Sequence, residues 1–145
     1  MKPNAMLTAT SLLAILFMTL HLTDDVLRDQ NGAAQGGLVG LAVPVVLIVW
    51  LYAVLVLAER QSGYIINLAA SLLSSYVAFG HMTGIGDVVI GVIAKSSGPV
   101  FVWTVIALGV TAIFSVILSA RALFSPQGAT SANPTSRGQK APRRA

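Results

Sequence analysis

The sequence predicts an all-α integral membrane protein, an antiparallel bundle of four transmembrane helices with both termini in the cytoplasm. Three observations support this prediction: a low content of charged residues, four long runs without charge, and an uneven distribution of Lys and Arg between the loops. Of the 145 residues, 55% are hydrophobic and only 10% are charged. Soluble domains carry about 25% charged residues, so lipid is the expected solvent for most of this chain. The length allows one domain at most.

The four runs free of Asp, Glu, Lys and Arg are each long enough to cross a membrane. They contain 21, 29, 26 and 25 residues, whereas a helix needs about 20 apolar residues to cross a hydrocarbon core of roughly 30 Å. Backbone groups in lipid must be satisfied within the segment, which favours helices over strands even in the β-branched stretch 43–50. We therefore expect helices near residues 5–23, 38–58, 63–82 and 99–122.

The first run has an alternative interpretation as a secretory signal peptide. Lys2 supplies a weak positive start, and an apolar stretch follows it. However, the only small-residue cleavage site lies near 32–34, well past that stretch, whereas signal peptides end within roughly 15–30 residues. A retained transmembrane helix is the favoured interpretation.

Two local features shape the second and third helices. Pro44 lies about two turns into the second helix, where it is expected to bend the helix without breaking it. The link AERQSG, residues 58–63, is very short. Helices joined by so few residues form an antiparallel hairpin, so the second and third helices are predicted to be neighbours.

The basic residues predict the orientation. With both termini inside, seven of the nine Lys and Arg residues lie on the cytoplasmic side, and only Arg28 and Lys95 lie outside. This distribution satisfies the positive-inside rule, under which short cytoplasmic loops are enriched in Lys and Arg. The expected location is the inner, or plasma, membrane.

The chain divides into a transmembrane domain, residues 1–124, and a basic tail, residues 125–145. The tail is rich in Ser, Pro, Gly and Ala and has no apolar periodicity, so a disordered cytoplasmic segment is predicted. Attachment to anionic lipid is the alternative for this tail. Its basic residues are too sparse to indicate a nucleic-acid partner.

Polar and small residues recur along one face of the third and fourth helices. Helix packing is the favoured role, because such residues let helices approach and form hydrogen bonds between them. The alternatives are a polar path toward His81 and a homodimer contact along the fourth helix. The residues are Tyr64, Asn67, Ser71, Ser74 and His81 in the third helix, and Ala107, Thr111, Ser115 and Ser119 in the fourth.

Histidine and aspartate residues gather at one predicted membrane face, the extracytoplasmic one. If the first helix continues past its apolar run, His21, Asp24 and Asp25 share one side of it at i, i+3 and i+4. His81 ends the third helix at a similar depth, and Asp87 follows six residues later. Imidazole and carboxylate together suit a divalent ion such as Zn²⁺, Fe²⁺ or Mn²⁺. The alternative is structural, since Asp commonly caps a helix or ends an apolar span.

Two further features at this face have alternative interpretations. A haem held between the two histidines is disfavoured, because the flanking aspartates suit a harder ion and His21 lies near headgroup level. The segment 84–98 is apolar but too short to span. A hydrophobic loop packed on the bundle is expected there, and an interfacial lid over the cluster is the alternative.

The sequence excludes several classes of function. Cysteine is absent, so no disulfide or thiolate chemistry is available. No charged residue falls in the middle of a predicted helix, unlike in proton-coupled pumps and voltage sensors. A Gly-rich phosphate loop, a nucleophile elbow and an HExxH motif are also missing from the sequence. No catalytic or organic-cofactor residue is therefore predicted, and an enzyme is not the favoured interpretation.

Two functions of different classes follow. The first is a small accessory or assembly subunit, whose partners are the lipid bilayer and either a second copy or a larger membrane complex. The second is a metal-binding or ion-handling protein that uses the residues His21, Asp24, Asp25, His81 and Asp87.

Overall fold

The computed structural model describes the backbone of residues 3–28, 38–83 and 90–125, and the side chains of 4–27, 42–83 and 98–125. These residues form four helices and no strand, which confirms the predicted all-α class. The helices are α1 (Pro3–Arg28), α2 (Leu38–Leu55), α3 (Gln61–Thr83) and α4 (Ile90–Phe124). Asp87 and the predicted tail beyond Ser125 lie outside the described residues.

Three of these helices are long and apolar enough to cross a membrane. The segments are Asn4–Leu27, Gln61–Thr83 and Gly98–Phe124, which indicates that the protein is located in a membrane. In α2, the apolar helix Ala42–Leu55 is shorter than these three. A crossing by α2, and with it the four-span topology and the side on which the termini lie, stays a prediction.

The helix ends depart from the prediction at two places. α1 continues to Arg28, five residues past its predicted end, and so carries His21, Asp24 and Asp25 within one helix. α2 ends at Leu55 rather than residue 58, because residues 56–60 form a turn. In that turn the backbone N–H of Val56 donates to the Tyr52 carbonyl at 2.8 Å. Pro44 lies inside α2, as predicted.

α4 consists of two helical parts joined at Gly98. Gly98 has φ 75° and ψ 177°, a conformation that favours glycine, and Pro99 then begins the second part. The sequence predicts this start at residue 99 correctly. The expectation of a loop over 84–98 is wrong for residues 90–97, which are helical. Apart from Gly91, that stretch has no residue that disfavours a helix.

The second part of α4 provides the centre of the bundle. It packs along both α1 and α3, whereas α2 contacts α3 and α1 less extensively. Val105, Leu108 and Ala112 of α4 are fully buried, and Leu108 packs in a core with Ala14 and Trp50. Large apolar side chains face outward on all four helices, as a lipid solvent requires; examples are Leu16, Ile48, Leu72 and Phe114.

Asn67 of α3 is the centre of a buried hydrogen-bond network in the half of the bundle away from the histidines. Its side-chain oxygen accepts a hydrogen bond from Trp50 Nε1 of α2 at 2.7 Å. Its amide nitrogen donates to the hydroxyls of Ser115 and Ser119 of α4, at 3.0 and 2.7 Å. Asn67 therefore connects three helices, which supports the predicted packing role of this polar face.

Ser115 extends the same network to α1. Its hydroxyl lies 2.8 Å from the hydroxyl of Ser11, and it accepts a hydrogen bond from Ser71 at 2.9 Å. All three serines are fully buried. Thr111 does not join them, because its hydroxyl donates to carbonyl oxygens of its own helix. The network links all four helices and fixes their relative register.

Candidate metal site

The site lies where α1 and α3 end and the second part of α4 begins, which we call the histidine end of the bundle. His21 faces the interior because it shares one side of α1 with the buried residues Ala14 and Met18. It is only 1% exposed, and His81, in the last turn of α3, is half-buried. The prediction that both histidines lie at one end of the bundle is confirmed.

Three side chains converge at this end. His21 Nε2 lies 3.1 Å from His81 Nε2 and 3.3 Å from Asp25 Oδ2. One ligand atom from each of these three residues lies within 4.8 Å of the others. Asp25 sits at the rim, with its side chain 42% exposed. His21, Asp25 and His81 therefore form a spatial cluster, and their predicted role as metal ligands stays a prediction.

The structure does not bring the other two predicted ligands, Asp24 and Asp87, into this group among the residues that it describes. Asp24 is half-buried and is not among the three side chains that converge. Asp87 lies outside the described residues, so its part in the site stays a prediction.

Phe101 of α4 forms a wall of the site that sequence reasoning missed. Its ring centroid lies 5.3 Å from that of His21 and 5.9 Å from that of His81, and the two imidazoles meet edge to face at 4.7 Å. Phe101 is 5% exposed, so it keeps this side of the histidine pair dry. The position of Phe101 could have been found from the antiparallel order of the helices. In such a bundle the start of the fourth helix lies beside the ends of the first and third.

Hydrogen bonding alone accounts poorly for the three converging atoms. His21 Nε2 is common to both short contacts. In neutral imidazole this nitrogen either donates one proton or accepts one through its lone pair. If it accepts from His81 it has no proton for the Asp25 carboxylate, and if it donates to Asp25 it offers His81 no lone pair. The Nδ1 atoms of both histidines are also buried, and neither has a hydrogen-bond partner in the described part of the chain. A cation shared by the lone pairs satisfies the converging atoms directly.

The distances fit ligands of one ion. Two atoms bound to a tetrahedral metal at about 2.0–2.1 Å lie about 3.3 Å from each other. The separations of 3.1 and 3.3 Å around His21 Nε2 agree with this value.

No family model, no curated protein and no solved structure matches this chain. Its function is therefore inferred from the cluster itself.

A haem does not fit between the two histidines. An axial pair holds a macrocycle between its rings, with the two Nε2 atoms about 4 Å apart across the iron. Here the rings contact each other edge to face, and their Nε2 atoms are 3.1 Å apart. Phe101 occupies the adjacent space.

An apolar layer separates the histidine end from the Asn67 network. Ala14, Ala78, Val105 and Leu108 are all buried between the two polar groups. Ser74, which lies between them on α3, donates its hydroxyl proton to the Ala70 carbonyl at 2.9 Å. The predicted polar path toward His81 is therefore interrupted within the described residues.

Proposed function

We propose that this chain is a four-span membrane protein that binds one divalent transition-metal ion at the extracytoplasmic face. The observation that carries the proposal is the convergence of His81 Nε2 and Asp25 Oδ2 on His21 Nε2, at 3.1 and 3.3 Å. The distribution of Lys and Arg supports the choice of face. The 18 residues of α2, about 27 Å of helix, supply the fourth crossing.

The ligand set indicates the kind of ion. Two imidazoles with one carboxylate favour borderline ions such as Zn²⁺ and Fe²⁺ over Mg²⁺ or Ca²⁺, which prefer oxygen ligands. Three protein ligands leave at least one coordination position for water or another molecule. Such a site suits ion capture or exchange, because a structural site is normally closed by four protein ligands.

An accessory role in a larger membrane complex, the function first expected from the sequence, is less well supported. Ser115 and Ser119 of the fourth-helix stripe are fully buried within one copy and bound to Asn67. They are therefore not available for the homodimer contact that the stripe suggested. The convergence of His21, Asp25 and His81, in contrast, lies entirely within one copy and supplies the ligand types of a metal site.

The metal content of the protein tests this proposal. The wild-type chain is purified without chelators beside a His21→Ala/His81→Ala double variant and a Thr23→Ala control. Thr23 is exposed on α1 between the ligands, and its hydroxyl donates to the Thr19 carbonyl. We expect about one ion per chain in wild type and control and less than a tenth of that in the double variant. Wild-type protein that takes up no ion when offered Zn²⁺, Fe²⁺ or Mn²⁺ overturns the proposal.

A further inference from the structure

A groove of about 200 Å³ lies between α1, α2 and α3. Met18 and Trp50, which line its inner side, are almost fully buried. Val46 and Leu73 also line it, but they are 45% and 53% exposed, so the groove opens on the lipid-facing side of the bundle.

The side chains that line the groove favour a hydrocarbon ligand. Nearly all of the accessible lining is apolar. The one polar side chain among the lining residues is Ser74, and its hydroxyl donates to the Ala70 carbonyl of its own helix. The indole N–H of Trp50 is likewise used, by Asn67, so no lining side chain offers an unused hydrogen-bond donor to a polar ligand. An apolar chain is the ligand class that such walls accept.

The groove ends close to the proposed metal site. Its lining residue Leu22 lies three residues before Asp25 on α1, and Val77 lies four residues before His81 on α3. Each spacing is about one helical turn, or roughly 5 Å along the axis. Leu22 adjoins His21, and the other lining residues of α1 and α3 precede the histidine of their own helix, so most of the groove lies further from these helix ends than the cluster does. Going inward from the helix ends, the polar site therefore comes first and the apolar groove second. An amphiphilic molecule has the same order, with a polar headgroup followed by an apolar tail.

We propose that the groove holds one acyl chain of a bilayer phospholipid whose phosphate binds the metal ion at the His21–Asp25–His81 cluster. The position assigned to the lipid phosphate depends on the metal site proposed above. A divalent ion with two neutral imidazoles and one carboxylate keeps a net charge of about +1, which attracts an anionic oxygen to its open coordination position. The bilayer is the source of the lipid because the groove opens toward it.

Two adjacent alanines of α3 provide a matched test. Ala70 lines the groove, whereas Ala69 is exposed and does not. Ala70→Phe fills the groove with an aromatic ring, and Ala69→Phe places the same ring in lipid. Wild type and both variants, loaded with Zn²⁺, are purified from membranes and washed in lipid-free detergent. Phospholipid and zinc per chain are then counted by mass spectrometry, and zinc is removed from a second wild-type sample with a chelator before the same wash.

We expect about one retained phospholipid per chain in wild type and Ala69→Phe, and at least a fivefold loss in Ala70→Phe with zinc still bound. We also expect a severalfold loss in the chelated wild type. Equal retention in wild type and Ala70→Phe, or in zinc-loaded and chelated wild type, overturns the inference. If Ala70→Phe does not fold, Val46→Trp blocks the opposite wall with the same expected loss. Wild type that binds no zinc contradicts the proposed function instead, so the two failures are distinguishable.

Discussion

His21 and His81 are 60 residues apart in the chain, and their Nε2 atoms lie 3.1 Å apart at one end of the bundle. The contact joins the ends of two parallel helices, α1 and α3, inside a wall formed by Phe101 of α4. Two imidazoles at this distance repel each other when both are protonated. A cation bound by both Nε2 lone pairs takes the place of those protons, so metal ions and protons compete for the proposed site.

The two neighbouring aspartates of α1 should differ in their effect on metal affinity. Asp25 Oδ2 lies 3.3 Å from His21 Nε2, whereas Asp24 is outside the converging group. We expect Asp25→Asn to weaken Zn²⁺ binding about 10–100-fold and Asp24→Asn to leave it within about threefold of wild type. Competition with a chromophoric chelator measures both. Equal losses in the two variants would show that general negative charge, rather than coordination by Asp25, attracts the ion.

Metal binding should weaken as the pH falls. A ligating histidine must be neutral, so each bound imidazole releases a proton when the ion enters from acidic solution. At pH values low enough to protonate the free histidines, apparent affinity should fall about tenfold per ligating histidine for each pH unit. The slope of log affinity against pH should therefore approach two in wild type and one in His81→Ala. A slope of one in both proteins would exclude His81 as a ligand.

The sequence predicted the helical segments and the shared face of His21 and Asp25 because their determinants are local. The uncharged runs fix which segments are helices, and the spacing of four residues between His21 and Asp25 places them on one side of α1. The wall formed by Phe101 depends instead on how far α4 slides along α1 and α3. That register is set by contacts such as those of Asn67 with Ser115 and Ser119, which link residues 48 and 52 positions apart. Periodicity within one helix does not contain this information.

The helix boundaries show a similar division between local and tertiary determinants. The start of the second part of α4 was predicted from the uncharged run alone, and in the structure the positive φ of Gly98 and the ring of Pro99 fix it at that point. The end of α2 was placed three residues too late, because residues 56–58 are as apolar as the helix before them. Hydropathy does not distinguish an apolar turn from an apolar helix.

Removal of the Phe101 ring should destabilise the histidine end and admit water to the site. The ring is 5% exposed and contacts both imidazoles, so Phe101→Ala leaves a cavity beside them. We expect a loss of about 3–5 kcal/mol in the free energy of unfolding, as for other buried Phe→Ala changes. Phe101→Leu, which keeps most of the volume, should lose less than half of that. Unfolding in a detergent titration measures both, and identical stabilities for the two variants would contradict the packing role.

Replacement of Asn67 should lower the stability of the bundle without changing its metal affinity. Asn67→Leu leaves Trp50 Nε1 without its acceptor and removes the two bonds donated to Ser115 and Ser119. With bonds between membrane helices contributing about 0.6 kcal/mol each on average, we expect a loss of roughly 1–3 kcal/mol. Metal affinity should stay within about threefold of wild type, because the apolar layer separates Asn67 from the histidines.

A serine on the same helix provides the control for Asn67. The hydroxyl of Ser75 donates to the Ser71 carbonyl of its own helix, so Ser75→Ala breaks no bond between helices. This variant should be as stable as wild type. A large loss of metal affinity in Asn67→Leu alone would show that the two polar groups are coupled across the apolar layer.

The turn between α2 and α3 should require glycine at position 63, whereas α3 should tolerate alanine at position 80. A Cβ atom on Gly63 would overlap the backbone carbonyl of Leu57, whereas a Cβ atom on Gly80, later in the same helix, would meet nothing within 4 Å. We expect Gly63→Ala to cost about 1–3 kcal/mol of stability, since fixed backbone must move to admit the methyl group. Gly80→Ala should be neutral or stabilising by up to about 1 kcal/mol, because alanine favours the helix. Detergent unfolding of the two variants checks this directly. A Gly63→Ala protein as stable as wild type would mean that the Leu57 carbonyl lies further from residue 63 than the structure shows.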